Sequence, residues 1–157
     1  MRRFVLVLAL LGIVSGLALL GVPRAFARFL KISWVADMGF GEIYVGAYPG
    51  TVVLSPSGTR TAQGNVTLGS ATGVAAAQFS ITGEHYLTVA VLLPGSATLS
   101  SGTNSMTLDA FTSLPGGTVV LDVNGHATFT VGASLHMVAW QPRGAYSGTY
   151  NVTVAYN

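Results

Sequence analysis

Apolar and polar residues alternate in short runs along most of this chain, and no segment sustains the period of a helix. The clearest run is the last. Tyr146, Tyr150, Val152, Val154 and Tyr156 share one parity, while Ser147, Thr149, Asn151, Thr153 and Asn157 occupy the other. Alternation rich in β-branched and aromatic residues predicts a strand with one buried face and one wet face. Such a strand must be held by a neighbour in its own fold or by another molecule.

Upstream, Leu30, Ile32, Trp34 and Ala36 alternate against Lys31, Ser33 and Val35, which predicts a first strand. Residues 38–45 predict a second, with Gly39 and Gly41 marking a bulge or close backbone approach. Residues 51–55 read as a strand closed by the turn Pro56-Ser57-Gly58. Residues 65–68 follow, then 74–82 with Ala75, Ala77, Phe79 and Ile81 on one face. The nearly all-apolar stretch 85–93 stops at Pro94-Gly95 and suits a central strand covered on both faces. Residues 97–100 and 105–112 come next. Asn124-Gly125 predicts a type I′ hairpin that pairs Val123 with His126 and Val120 with Phe129. Residues 134–139 form one more strand, and Pro142-Arg143-Gly144 turns into the final one. About ten short strands between turn residues indicate an all-β sandwich of one domain.

The N-terminal pattern is different. Met1-Arg2-Arg3 is positive, residues 4–22 are apolar apart from Gly and Ser15, and Pro23-Arg24-Ala25-Phe26-Ala27 ends in an Ala-x-Ala site. This predicts an export signal over residues 1–27, cleaved between Ala27 and Arg28. An apolar run of about 20 residues could also anchor in a bilayer, but the break at Pro23 and the Ala-x-Ala site favour cleavage. Removal of the signal leaves Arg28, Lys31, Arg60 and Arg143 against Asp37, Glu42, Glu84, Asp109 and Asp122, one net negative charge. The basic balance of the whole chain is therefore a targeting feature, and no cationic face points to nucleic acid. Charge this sparse, where about a quarter of residues are usually charged, suits an assembling protein. With no cysteine, packing and hydrogen bonds must supply all the stability.

Candidate chemistry is thin. His85, His126 and His136 lie far apart without an obvious carboxylate partner, and the carboxylates are scattered. Asp122-x-Asn124-Gly125 resembles the start of a calcium loop but lacks the later ligands, so a turn explains it better. No nucleophile elbow, phosphate loop or zinc motif occurs. These absences lead to the expectation of a non-enzymatic protein without cofactor, metal or small-molecule substrate.

Gly144 stands fourteenth from the last residue, Tyr156 is penultimate, and the residues between alternate. This resembles the C-terminal signature of chaperone–usher pilin subunits. Met38-Gly-Phe-Gly-Glu-Ile43, Gly50 to Arg60, Ala77 to Gly83 and Gly144 to Asn157 resemble an exported bacterial family of unknown function, similar to spore-coat-U-type pilins. The resemblance implies an immunoglobulin-like β-sandwich lacking one strand, over residues 38–157, with a donor arm over 28–37. It also implies a periplasmic chaperone, an outer-membrane usher, and head-to-tail joining of copies at the cell surface. Leu30, Ile32, Trp34 and Ala36 would be the donor residues; Gly144, Tyr146, Tyr150, Val152, Val154 and Tyr156 would line the acceptor groove. Strand addition is a known recognition mode, and burying three apolar donor side chains would contribute about 5–9 kcal/mol before ordering costs. The alternative is that Leu30 to Ala36 folds back as the chain's own first strand.

The leading expectation is thus a structural subunit of a surface filament. A secreted carbohydrate-binding adhesin or matrix module is second; it would need exposed loop aromatics, for which Tyr48 is the main candidate. A small outer-membrane β-barrel is third, because the expected strands are shorter than the 9–11 residues needed to cross a membrane.

Overall fold

The structure, a computed structural model, describes residues 28–157. The expected signal over residues 1–27, including Ala27 at its cleavage position, lies outside the described residues. Among the described residues there is no helix. The strands are β1 (Leu30–Ala36), β2 (Gly39–Phe40), β3 (Ile43–Leu54), β4 (Arg60–Leu68), β5 (Val74–Ala75), β6 (Ala77–Gly83), β7 (Thr88–Leu92), β8 (Ser96–Ser101), β9 (Asn104–Leu114), β10 (Thr118–Val120), β11 (His126–Met137) and β12 (Thr153–Tyr156).

Strand β11 organises the larger, curled antiparallel sheet. Its first half pairs with β6 and its second half with β3, while β9 runs along the opposite edge. Strands β1, β4 and β8 extend this sheet beyond β6, β3 and β9. A three-stranded antiparallel sheet has the order β10-β7-β12, and β2 pairs with β5.

Two apolar clusters follow from the alternation. The first joins Ile32 of β1, Phe79 and Ile81 of β6, Phe129 of β11, and Val89 and Val91 of β7. It lies where the three-stranded sheet covers the first half of β11, with Phe79 and Phe129 stacked at 5.2 Å. The second gathers Phe40, Val52, Leu54, Leu108, Leu135 and Met137 under the other half of the large sheet.

Several expectations are corrected. Residues 43–54 are one strand of 12 residues, and β11 is equally long, so the strands are not uniformly short. Residues 38–45 divide into β2 and the start of β3, and residues 74–82 divide at Ala76. Strand β7 is central in its sheet but not covered on both faces, since Leu92 is exposed.

The Asn124-Gly125 hairpin is also different. Asp122 Oδ1 accepts the N–H groups of both Asn124 and His126 at 2.8 Å. Gly125 N–H donates to Asp122 O at 3.0 Å, and Gly125 has φ +74°, while Asn124 is not left-handed. The carboxylate thus favours a three-residue turn closed by Asp122 and His126, where a type I′ turn would need both central residues left-handed. Beyond it, β10 leaves to pair with β7. Val120 and Phe129 consequently lie in different sheets, one exposed and the other buried.

The final alternation persists without a full-length strand. Only Thr153–Tyr156 is paired; upstream, Ser147 makes one isolated bridge to Ser100, with N···O distances of 2.8 and 3.1 Å. From Tyr150 to Asn157 the even residues are half-buried and the odd ones exposed. An extended backbone alone produces this period, whether or not a ladder partner lies alongside.

Candidate functional site

Strand β1 and the last residues of the chain meet along one seam. Strand β1 pairs with β6 in register from Leu30↔Gly83 to Trp34↔Phe79, so in this chain it forms the edge of its own sheet. Among the described residues strand β12 pairs with β7 alone, and β1 approaches it. Tyr156 bridges them: its hydroxyl donates to Phe29 O at 2.6 Å and accepts Glu84 N–H at 2.7 Å. Arg28 Nε lies 3.8 Å from Glu84 Oε2, an exposed and correspondingly weak pair.

Ile32 is buried, and Leu30 and Ala36 are half-buried, but Trp34 is 51% exposed. The expected parity places Trp34 opposite buried Phe79. No strand lies beyond β1 among the described residues, so the indole sits at the margin of the core. Across the seam Val152, Val154 and Tyr156 pack on the first cluster, and Tyr150 meets the Phe111 ring at 5.1 Å.

A second feature is a cleft of about 730 Å³. Its floor belongs to the second cluster, including Leu108, Leu135 and Met137; its lips are residues 37–45 and 140–148. Gly144 and Tyr146 of the final stretch line it, together with Tyr44, Trp140 and Arg143. Tyr146 Oη donates to Pro142 O at 2.7 Å and accepts from Gln141 Nε2 at 2.9 Å.

The first lip is clamped by Arg60. Its guanidinium donates to Phe40 O (2.6 Å), Glu42 O (2.9 Å), Gly69 O (2.7 Å) and Ser70 O (3.0 Å). Gly41 permits this approach: it has φ +66°, and a Cβ there would stand 2.9 Å from Arg60 Nη1. Tyr44 Oη donates to Glu42 Oε1 at 2.6 Å, and Ser70 N–H donates to Glu42 Oε2 at 3.2 Å. The tyrosine hydroxyl, then the Ser70 amide, hold the Glu42 carboxyl below its ordinary range. The same hydrogen bond pushes the Tyr44 phenol up.

A third arrangement corrects the expectation that the histidines lack carboxylate partners. His136 Nε2 lies 2.7 Å from Asp109 Oδ1, and its Nδ1 lies 3.0 Å from Thr51 Oγ1. Strand register across β9, β11 and β3 brings these three together on the solvent face. Hydroxyl, imidazole and carboxylate then form a cross-strand tie, and none of them lines the cleft. His126 Nδ1 meets Thr82 Oγ1 at 3.2 Å, and the His85 ring packs edge-on against Tyr86. Neither the tie nor the Arg60 clamp had a local sequence signal, because their partners come from separate strands and loops.

No curated protein and no solved structure matches the chain. A family model described as Domain of unknown function (DUF4402) matches residues 30–156, and the chain belongs to that family.

Proposed function

We propose that this protein is an exported, non-enzymatic structural subunit of a surface filament, joined head to tail when the Leu30–Ala36 strand of one copy completes the sheet of another. The observation that carries this reading is the half-covered seam: Trp34 is half-exposed on the core-facing parity of β1, and β12 shows the core side chains only half-buried beside an edge without a ladder partner among the described residues. Both strands are edges, which present unpaired N–H and C=O groups. Among the described residues strand β1 has a single ladder partner, β6, and contributes one buried large side chain, Ile32. Exchanging an identical element between copies reuses existing contacts, and a heterologous exchange extends into a fibre. The immunoglobulin-like sandwich with a donor arm, the chaperone and the usher belong to the same reading, supported by the resemblance of residues 144–157 to pilin subunits.

The chain contains no cysteine, so a disulfide trap is clean. Ser33 and Ser80 are register partners on β1 and β6, at a spacing that suits a disulfide. Cells would export a Ser33→Cys chain and a Ser80→Cys chain carrying tags of different size. Strand exchange predicts a mixed-tag disulfide in the surface assembly. Absence of the mixed species, with only intrachain closure in the Ser33→Cys/Ser80→Cys double variant, would overturn the exchange.

A further inference from the structure

The cleft beneath Trp140 has the properties of a ligand site rather than of a strand-acceptor groove. Much of the main chain on its lips is already engaged. Phe40 O and Glu42 O accept from Arg60, while Glu42 N–H donates to Ser70 O. On the other lip, Trp140 N–H donates to Gly46 O, Ser147 bonds Ser100 through both N–H and O, and Pro142 O accepts from Tyr146. A β-strand entering here would find few of the free backbone groups on which strand addition depends. Recognition must therefore come from side chains.

Those side chains are two exposed aromatics, a fixed amide and an unpaired cation. Trp140 is 72% exposed and Tyr44 48% exposed, and both line the cleft. Tyr44 is held through its hydroxyl by Glu42, and Gln141 by Ser105 O, Tyr146 Oη and Val138 N–H. Arg143 lines the same rim and makes no hydrogen bond or salt bridge among the described residues, in contrast to the fully engaged Arg60. Trp140 takes a left-handed backbone, φ +55°. A non-glycine residue in that region costs conformational energy, a cost concentrated at functional sites. The cavity volume is within the range of small-molecule sites.

We propose that this cleft binds a saccharide, with a sugar ring stacked on Trp140 and Tyr44 and Arg143 donating to a hydroxyl or carboxylate. Aromatic faces suit the apolar C–H face of a pyranose, and a guanidinium supplies forked donors for its oxygen atoms. A carboxylate-bearing sugar gains a charge-assisted bond from Arg143 that a neutral sugar cannot make.

The test uses the exported full-length protein, with Trp34→Phe leaving Trp140 as the reporter tryptophan. A panel of neutral, uronate-bearing and sialate-bearing oligosaccharides is titrated by fluorescence. Binding with quenching of Trp140 is expected, strongest for an acidic member. Trp140→Gly, made without Trp34→Phe and read by calorimetry, should weaken binding at least about tenfold with an unchanged thermal midpoint, because glycine accommodates the left-handed backbone. Arg143→Gln should remove the preference for acidic over neutral members. No binding by any panel member, or binding indifferent to Trp140→Gly, overturns the proposal. Either result leaves the strand-exchange reading intact, because Ser33 and Ser80 lie outside the cleft.

Discussion

Replacing Arg60 with alanine should be among the most damaging changes outside the apolar clusters. The guanidinium gathers four carbonyls from two separated stretches of chain, residues 40–42 and 69–70. The bonds to Phe40 O and Gly69 O are partly buried, while the other two are exposed. Water can substitute at the exposed acceptors, so those bonds contribute little net free energy. Each partly buried bond from a charged donor contributes about 1.5–3 kcal/mol, and its loss strands an acceptor. Arg60→Ala should therefore cost about 3–6 kcal/mol. Arg60→Lys should recover about half of that, because one ammonium cannot span two loops as a planar fork does. Urea unfolding is the assay, and the alanine variant should lower the midpoint by on the order of 2 M with an unchanged slope. A loss below about 1 kcal/mol, or full rescue by lysine, would refute the account of a geometric clamp.

Two further outcomes follow from the hydrogen-bond geometry. Tyr156→Phe keeps the ring on the core but removes both seam bonds; because both are exposed it should cost no more than about 1 kcal/mol, while speeding hydrogen exchange at the Glu84 amide. An unchanged exchange rate would show that the clasp does not hold the seam. Glu42 and Asp122 both have carboxyl pKa values lowered in the folded state, Glu42 chiefly by the Tyr44 hydroxyl and Asp122 chiefly by the His126 amide. Their contribution is therefore present above the ordinary carboxylate range and lost as pH falls through about 4 and below. Tyr44 has the opposite sign, its raised phenol losing stability as pH rises past about 10. Urea midpoints across pH should flatten on the acid side in a Glu42→Gln/Asp122→Asn variant; an acid slope equal to the parent's would contradict this assignment.

Legibility in the sequence tracked how local each interaction was. Ala77, Phe79 and Ile81 bury on one face as their parity demanded, whereas Ala75, expected on the same face, lies in β5 and is exposed; Tyr150 to Tyr156 keep their parity although only four residues of that stretch are paired. The Pro56-Ser57-Gly58 turn formed as read, closed by Gly58 N–H to Ser55 O at 2.9 Å. The Asn124-Gly125 turn was misjudged because the two-residue signal took no account of the Asp122 carboxylate that captures two amides. Parity put Trp34 on the same face as Leu30, Ile32 and Ala36, but its 51% exposure was not legible, because whether a strand covers an edge depends on the neighbour beyond it.

The alternating pattern by itself determined that the described chain is all β and which side of most strands faces inward, because side-chain direction in an extended backbone is set residue by residue. Tertiary structure decided which strands are neighbours. Only that pairing brought His136 to Asp109, gave Arg60 four carbonyls, left β1 and β12 as facing edges, and opened the Trp140 cleft over the second cluster. Those contacts join residues far apart in sequence, and loop closure over such separations leaves no periodic trace for a reader of the chain to find.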